Sequence, residues 1–129
     1  MTGRVLRPLL LTARDFLTLA WVLPATEIRR RRLSLHDAVA SARRAGGRRP
    51  ASAFTSRARL RRIVSAVDRR LPDGGNCVRR ALVEMAMDPA AAQERFFAGL
   101  TAGGGPKSGH AWLETDRPGD GRFDAIFTI

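Results

Sequence analysis

Apolar positions recur along this chain first at helical spacing and then at strand spacing. Over residues 4–23, Leu6, Leu9, Leu10, Ala13, Leu17, Ala20 and Trp21 fall at three- and four-residue steps and predict one buried helix face. Pro24 marks the predicted end of that helix. A second helix is predicted over 34–44, where Ser34 and Asp37 are spaced as in a capping box and Ala38, Val39 and Ala42 form a narrow apolar stripe. His36 falls in its first turn and reads as a surface residue. The run Ala45-Gly46-Gly47-Arg48-Arg49-Pro50 breaks the periodicity and predicts a linker. A third helix follows over 56–71, with Leu60, Ile63, Val64, Val67 and Leu71 on one face and Arg57, Arg59, Arg61, Arg62 and Arg69 elsewhere.

Pro72-Asp73-Gly74-Gly75 predicts a turn, and Asn76 is a good N-cap for a helix over 77–87 buried through Val78, Ala81, Leu82 and Met85. Asp88-Pro89 ends or restarts it. The period then shortens, and strands are predicted over 96–100, 110–115 and 123–129, with loops at 103–108 and 116–121. The fold class expected is α+β: N-terminal helices, then a helix packed on a short antiparallel sheet. A helical region at 1–50 and a second domain at 51–129 are the expected divisions.

Composition narrows the function. The chain has 129 residues, enough for one small core, and 44% of them are apolar. One cysteine excludes an internal disulfide and fits a reducing cytosol. One cysteine and two histidines cannot make the usual four-ligand structural zinc site, so no metal is expected. Net charge is +11, carried by 23 Lys and Arg of which only Lys107 is a lysine. Such a balance suits nucleic acid, anionic lipid or an acidic partner, or simply a solvated surface that includes Arg29-Arg30-Arg31-Arg32. The apolar run at 16–25 is far shorter than the ~20 residues that span a bilayer, so a buried or membrane-grazing helix is expected there.

The chemistry concentrates in the second half. Cys77 follows the predicted N-cap, where unpaired backbone N–H groups and the positive end of the helix dipole favour a thiolate, with Arg79 and Arg80 adding positive charge. The same N–H groups suit an oxyanion. His110 opens a strand on which His110, Trp112 and Glu114 share one face. A hairpin symmetric about Arg117 sets Asp124 opposite His110, with Cβ atoms ~5 Å apart, and turns Phe123, Ala125, Phe127 and Ile129 toward the core. Cys77 as nucleophile, His110 as base and Asp124 as orienter is the arrangement expected. Glu114, Asp116 and Asp120 are rival orienters.

These residues carry a resemblance. The Cys helix Cys77-Val78-Arg79-Arg80-Ala81-Leu82, the strand Gly109-His110-Ala111-Trp112-Leu113-Glu114 and the following Asp124 resemble the transglutaminase-like, papain-related superfamily. They are most similar to the leader peptidases of lasso peptide biosynthesis, the microcin-processing protease family. Arg70-Leu71-Pro72 ahead of the cysteine fits as well. The segment at 88–94 and Gly109 depart from the family pattern. The resemblance implies a cytoplasmic cysteine protease that removes the leader from a ribosomal precursor peptide. It implies a separate small leader-recognition protein and an asparagine-synthetase-like lasso cyclase as partners. No cofactor is expected, although some family members are reported to need ATP; Gly103-Gly104-Gly105-Pro106-Lys107-Ser108 lacks the spacing of a phosphate-binding loop. Peripheral membrane contact fits the apolar N-terminal helix, and no nucleic acid is expected. The competing reading is a non-catalytic basic module that binds nucleic acid or an acidic protein.

Overall fold

The computed structural model describes residues 2–50, 56–101, 108–116 and 123–129, with side chains of the first helix described from Ala13 onward. The loops predicted at 103–108 and 116–121 lie largely outside the described residues. Among the described residues, five α-helices precede a three-stranded sheet: α1 (Thr2–Arg32), α2 (Leu35–Gly47), α3 (Arg57–Asp68), α4 (Cys77–Met87), α5 (Pro89–Ala92), β1 (Phe96–Thr101), β2 (Ser108–Leu113) and β3 (Ala125–Thr128), with one 3-10 turn at Glu114–Asp116.

α4 is the centre of the molecule. Ala81 through Met87 are all buried, so this helix is enclosed on every side rather than along one stripe. Leu19 and Val22 of α1, Val39 and Ala42 of α2, Leu60 and Val64 of α3, and Phe96, Ala111 and Leu113 of the sheet join α4 in one core. Residues from both sides of Pro50 therefore pack together. Among the described residues, no helix is long and apolar enough to cross a membrane.

Side chains cap the starts of α2, α3 and α4, two of them, Ser34 and Asn76, at the predicted positions. Ser34 Oγ accepts from Asp37 N at 3.1 Å, Ser56 Oγ accepts from Arg59 N at 3.2 Å, and Asn76 Oδ1 accepts from Arg79 N at 3.0 Å.

Three local expectations fail, each for a tertiary reason. α1 does not stop at Pro24 but runs on to Arg32. Proline removes the N–H that would bond the Ala20 carbonyl, at a cost of about 3 kcal/mol. Beyond Pro24, however, α1 buries Thr26 and brings Glu27 to Arg79, so packing holds the helix together. The face predicted to be buried is also the wrong one. Leu17, Ala20 and Trp21 are exposed, and the core takes Leu19 and Val22 instead. α1 carries apolar residues on both sides, and only the neighbours decide which side is inner.

The predicted linker is the third case, because Ala45, Gly46 and Gly47 continue α2. Gly46 is buried where α2 crosses α4: a Cβ there would stand 1.8 Å from the Met85 carbonyl oxygen and 2.9 Å from Ala92 Cβ. The glycine is a crossing point, not a hinge. Gly46→Ala in a helix ordinarily gains up to ~1 kcal/mol. Here overpacking against backbone outweighs that gain, and a net loss of about 1–3 kcal/mol in urea unfolding is expected. A stabilised variant would show that the two helices are free to separate.

In the sheet the order is β2-β1-β3, all neighbours antiparallel. β1 is central: Ala98 faces Ala111 on one side and Phe127 on the other. The predicted β2–β3 hairpin therefore does not form. The face of β3 predicted for the core is open, with Phe127 55% exposed, although Ile129 still packs against the core.

Candidate active site

The turn between α3 and α4 delivers Cys77. Gly75 has φ 84°, which favours glycine, and its N–H donates to Asp68 Oδ2 at 2.9 Å. Asp68 is fully buried and pairs with Arg79, Nε to Oδ1 at 2.8 Å and Nη2 to Oδ1 at 2.6 Å. Arg79 Nη2 also donates to the Asp73 carbonyl at 3.2 Å. Arg79 was expected to bias the thiol directly. Its charge is instead matched by Asp68, and its work is to clamp the turn that presents Asn76 and Cys77. Arg80 is half-exposed, lines the site, and lies 3.8 Å from Asp68.

Cys77 is half-buried at the first position of α4. Its Sγ accepts a hydrogen bond from Ala111 N at 3.2 Å. Ala111 is on β2, so this bond ties the helix start to the outer edge of the sheet. A groove of about 330 Å³ opens there between α3, α4 and β2, lined in part by Arg61, Cys77, Arg80, Glu84, His110 and Trp112. Cys77 and His110 thus share one groove.

Asp124 is placed differently. It lies outside the described lining of that groove, and its N–H donates to the Leu100 carbonyl at 2.9 Å. His110 stands opposite Gly99 on β1, and Gly99 stands opposite Ile126 on β3. One strand therefore separates His110 from the chain that carries Asp124, and strands on either side of it are ~10 Å apart. The cross-strand contact expected between His110 and Asp124 is not made through pairing of their strands.

Phe123 occupies the space beside the imidazole. Its ring stacks on His110 at 6.4 Å and on Trp112 at 4.9 Å between centroids. Trp112 also stacks on Phe97 at 5.7 Å, so Phe97, His110, Trp112 and Phe123 form one cluster of stacked rings beside the groove. Gly99 makes room for them: a Cβ there would meet the Phe123 ring at 2.5 Å. A glycine inside an otherwise apolar strand was the available signal for this close approach. Gly99→Ala is expected to displace Phe123 and change the near-UV circular dichroism of Trp112, with far-UV ellipticity kept. An unchanged near-UV spectrum would mean that the ring has another place to sit.

The groove floor is polar. Glu84, buried on α4, accepts from Arg57 Nε at 2.7 Å and Arg61 Nε at 2.9 Å. Arg57 also pairs with Glu94, and Arg61 reaches Thr115 Oγ1 at 3.0 Å and Asp116 at 3.5 Å. Burial pushes the Glu94 carboxyl up, but hydrogen bonds from Thr115 and Arg57 outweigh it and hold it below the usual range. Two of the five arginines predicted off the apolar face of the third helix, Arg57 and Arg61, therefore pair with carboxylates rather than standing free for an anionic partner. Among the described residues, no group of three or more His, Cys, Asp or Glu is arranged to hold a metal ion.

A family model described as transglutaminase-like superfamily matches residues 19–124, a span that includes Cys77, His110 and Asp124. No curated protein and no solved structure matches the chain.

Proposed function

The chain belongs to the transglutaminase-like superfamily, and from that premise we propose that it is a cysteine peptidase that cleaves the leader from a ribosomally made lasso peptide precursor. The observation that carries the peptidase reading is Cys77 at a capped helix start, held by the Ala111 N–H, in the groove that His110 also lines. The motifs Cys77-Val78-Arg79-Arg80-Ala81-Leu82 and Gly109-His110-Ala111-Trp112-Leu113-Glu114 support the narrower assignment to leader removal.

In this mechanism the Cys77 thiol gives its proton to His110 and attacks the scissile carbonyl carbon. The Cys77 and Val78 N–H groups, which lie in the first turn and have no partner within the helix, stabilise the oxyanion. The tetrahedral intermediate collapses to a thioester as His110 returns the proton to the leaving amine. Water, deprotonated by His110, then hydrolyses the thioester and frees the thiol. Asp124 is proposed as orienter of His110, a smaller role given the strand between them. A separate small recognition protein presents the leader, and an asparagine-synthetase-like cyclase takes the released core peptide.

The test is mass spectrometry of a lasso precursor incubated with this protein and a leader-recognition protein. One cut between leader and core, with a thioester adduct on Cys77 in rapid-quench samples, is expected. Cleavage without any dependence on the thiol would overturn the reading.

A further inference from the structure

The outward face of α1 has no role in the groove chemistry, yet its composition is unusual. Leu17 is 70% exposed, Trp21 83% and Ile28 54%, and Pro24 is exposed between them. These residues are spaced at i, i+4, i+7 and i+11, which is a single stripe along one side of the helix. A large tryptophan turned into water on a helix whose opposite face is already buried is an unpartnered apolar surface.

The charges beside the stripe have one sign. The first 32 residues contain seven arginines and two carboxylates, Asp15 and Glu27. Asp15 is buried. Glu27 is bound by Arg30 at 2.7 Å and Arg31 at 3.0 Å, so it offers no free negative charge. Arg14, Arg29, Arg31 and Arg32 are exposed on the helix surface. Next to Trp21 a recess of about 230 Å³ opens between α1 and α2, floored by Val22, Ala45 and Ala86 and rimmed by Arg29 and Arg49.

We propose that this face of α1 docks the protein on an anionic lipid surface, with Trp21, Leu17 and Ile28 entering the headgroup boundary and the arginines meeting phosphate. A bilayer fits better than an acidic protein. The surface is the convex side of one helix, carrying guanidinium groups and apolar side chains but none of the amide or carboxylate groups that give a protein interface its directional bonds. The helix lies on the surface rather than crossing it. Tryptophan is the residue suited to that depth, with an apolar ring and one polar N–H.

The experiment is sedimentation of the full chain with vesicles of phosphatidylglycerol and phosphatidylcholine, or of phosphatidylcholine alone. Binding to the first and not to the second is expected. Because a chain of net charge +11 adheres to anionic surfaces without a docking face, the deciding variant is the charge-neutral pair Trp21→Ser with Leu17→Ser. Both residues are exposed, so the fold stands, as circular dichroism will show, and partition should fall about tenfold. Equal partition of the double variant would reduce the effect to net charge and overturn the proposal. So would no binding to anionic vesicles alongside binding to polyglutamate, the result expected of a surface for an acidic protein.

Discussion

Cys77→Ala is expected to abolish leader cleavage, lowering kcat by roughly 10³- to 10⁶-fold, the range seen when a nucleophile is removed and only binding and oxyanion stabilisation remain. The fold should survive. Cys77 is half-buried and its sulfur makes one hydrogen bond, to Ala111 N, so the loss in stability is about 1 kcal/mol or less. His110→Ala should cost a similar factor, since thiol and base act as one unit. Asp124→Ala should cost at least tenfold less than either, because its chain is separated from His110 by β1. Single-turnover cleavage of the precursor measures all three. If Cys77→Ala cleaves within tenfold of the parent, the chemistry lies elsewhere. If Asp124→Ala matches His110→Ala, the two side chains act together across β1 and Asp124 is a full member of the machinery.

Asp68→Ala should give the largest loss of stability of any single substitution considered. It leaves the Arg79 guanidinium, 2% exposed, without its carboxylate. Breaking a buried pair from one side costs about 3–5 kcal/mol, because an uncompensated charge stays buried. For a chain of this size that is a fall in Tm of roughly 10–20 °C. The Asp73 carbonyl at 3.2 Å and Glu27 at 3.6 Å remain near Arg79 and put the expected value at the lower end. The double variant Asp68→Leu with Arg79→Met should recover much of the stability, since no charge is then left buried. Its cleavage should stay impaired, since the Gly75 N–H loses its acceptor and the turn before Cys77 is freed. A single variant as stable as the parent would mean that water reaches Arg79.

Much of the site was legible in residue order. Asn76 and Cys77 mark a helix start by side-chain chemistry alone, because an N-cap bond spans only three residues. The alternation that put His110 and Trp112 on one face of the strand leaves Ala111 and Leu113 on the other, and both are found in the core. The neighbour of β2 was not legible. Alternation assigns faces, but β1 and β3 both suit β2 by hydrophobicity, and the β1 pairing prevails with β1 in the middle. Glycines misled in the same way: Gly46 reads locally as a break, while its missing side chain serves a helix crossing from a distant part of the chain.

The sequence by itself determined the helix starts capped by Ser34 and Asn76 and the helix-then-strand order, because each depends on contacts a few residues apart. Only the tertiary structure decided which face of α1 is buried, that Arg79 is matched by Asp68 rather than aimed at the thiol, and that β1 rather than the chain carrying Asp124 lies beside the His110 strand. Those outcomes depend on which of several locally equivalent surfaces finds a partner, and the partner is supplied by segments tens of residues away.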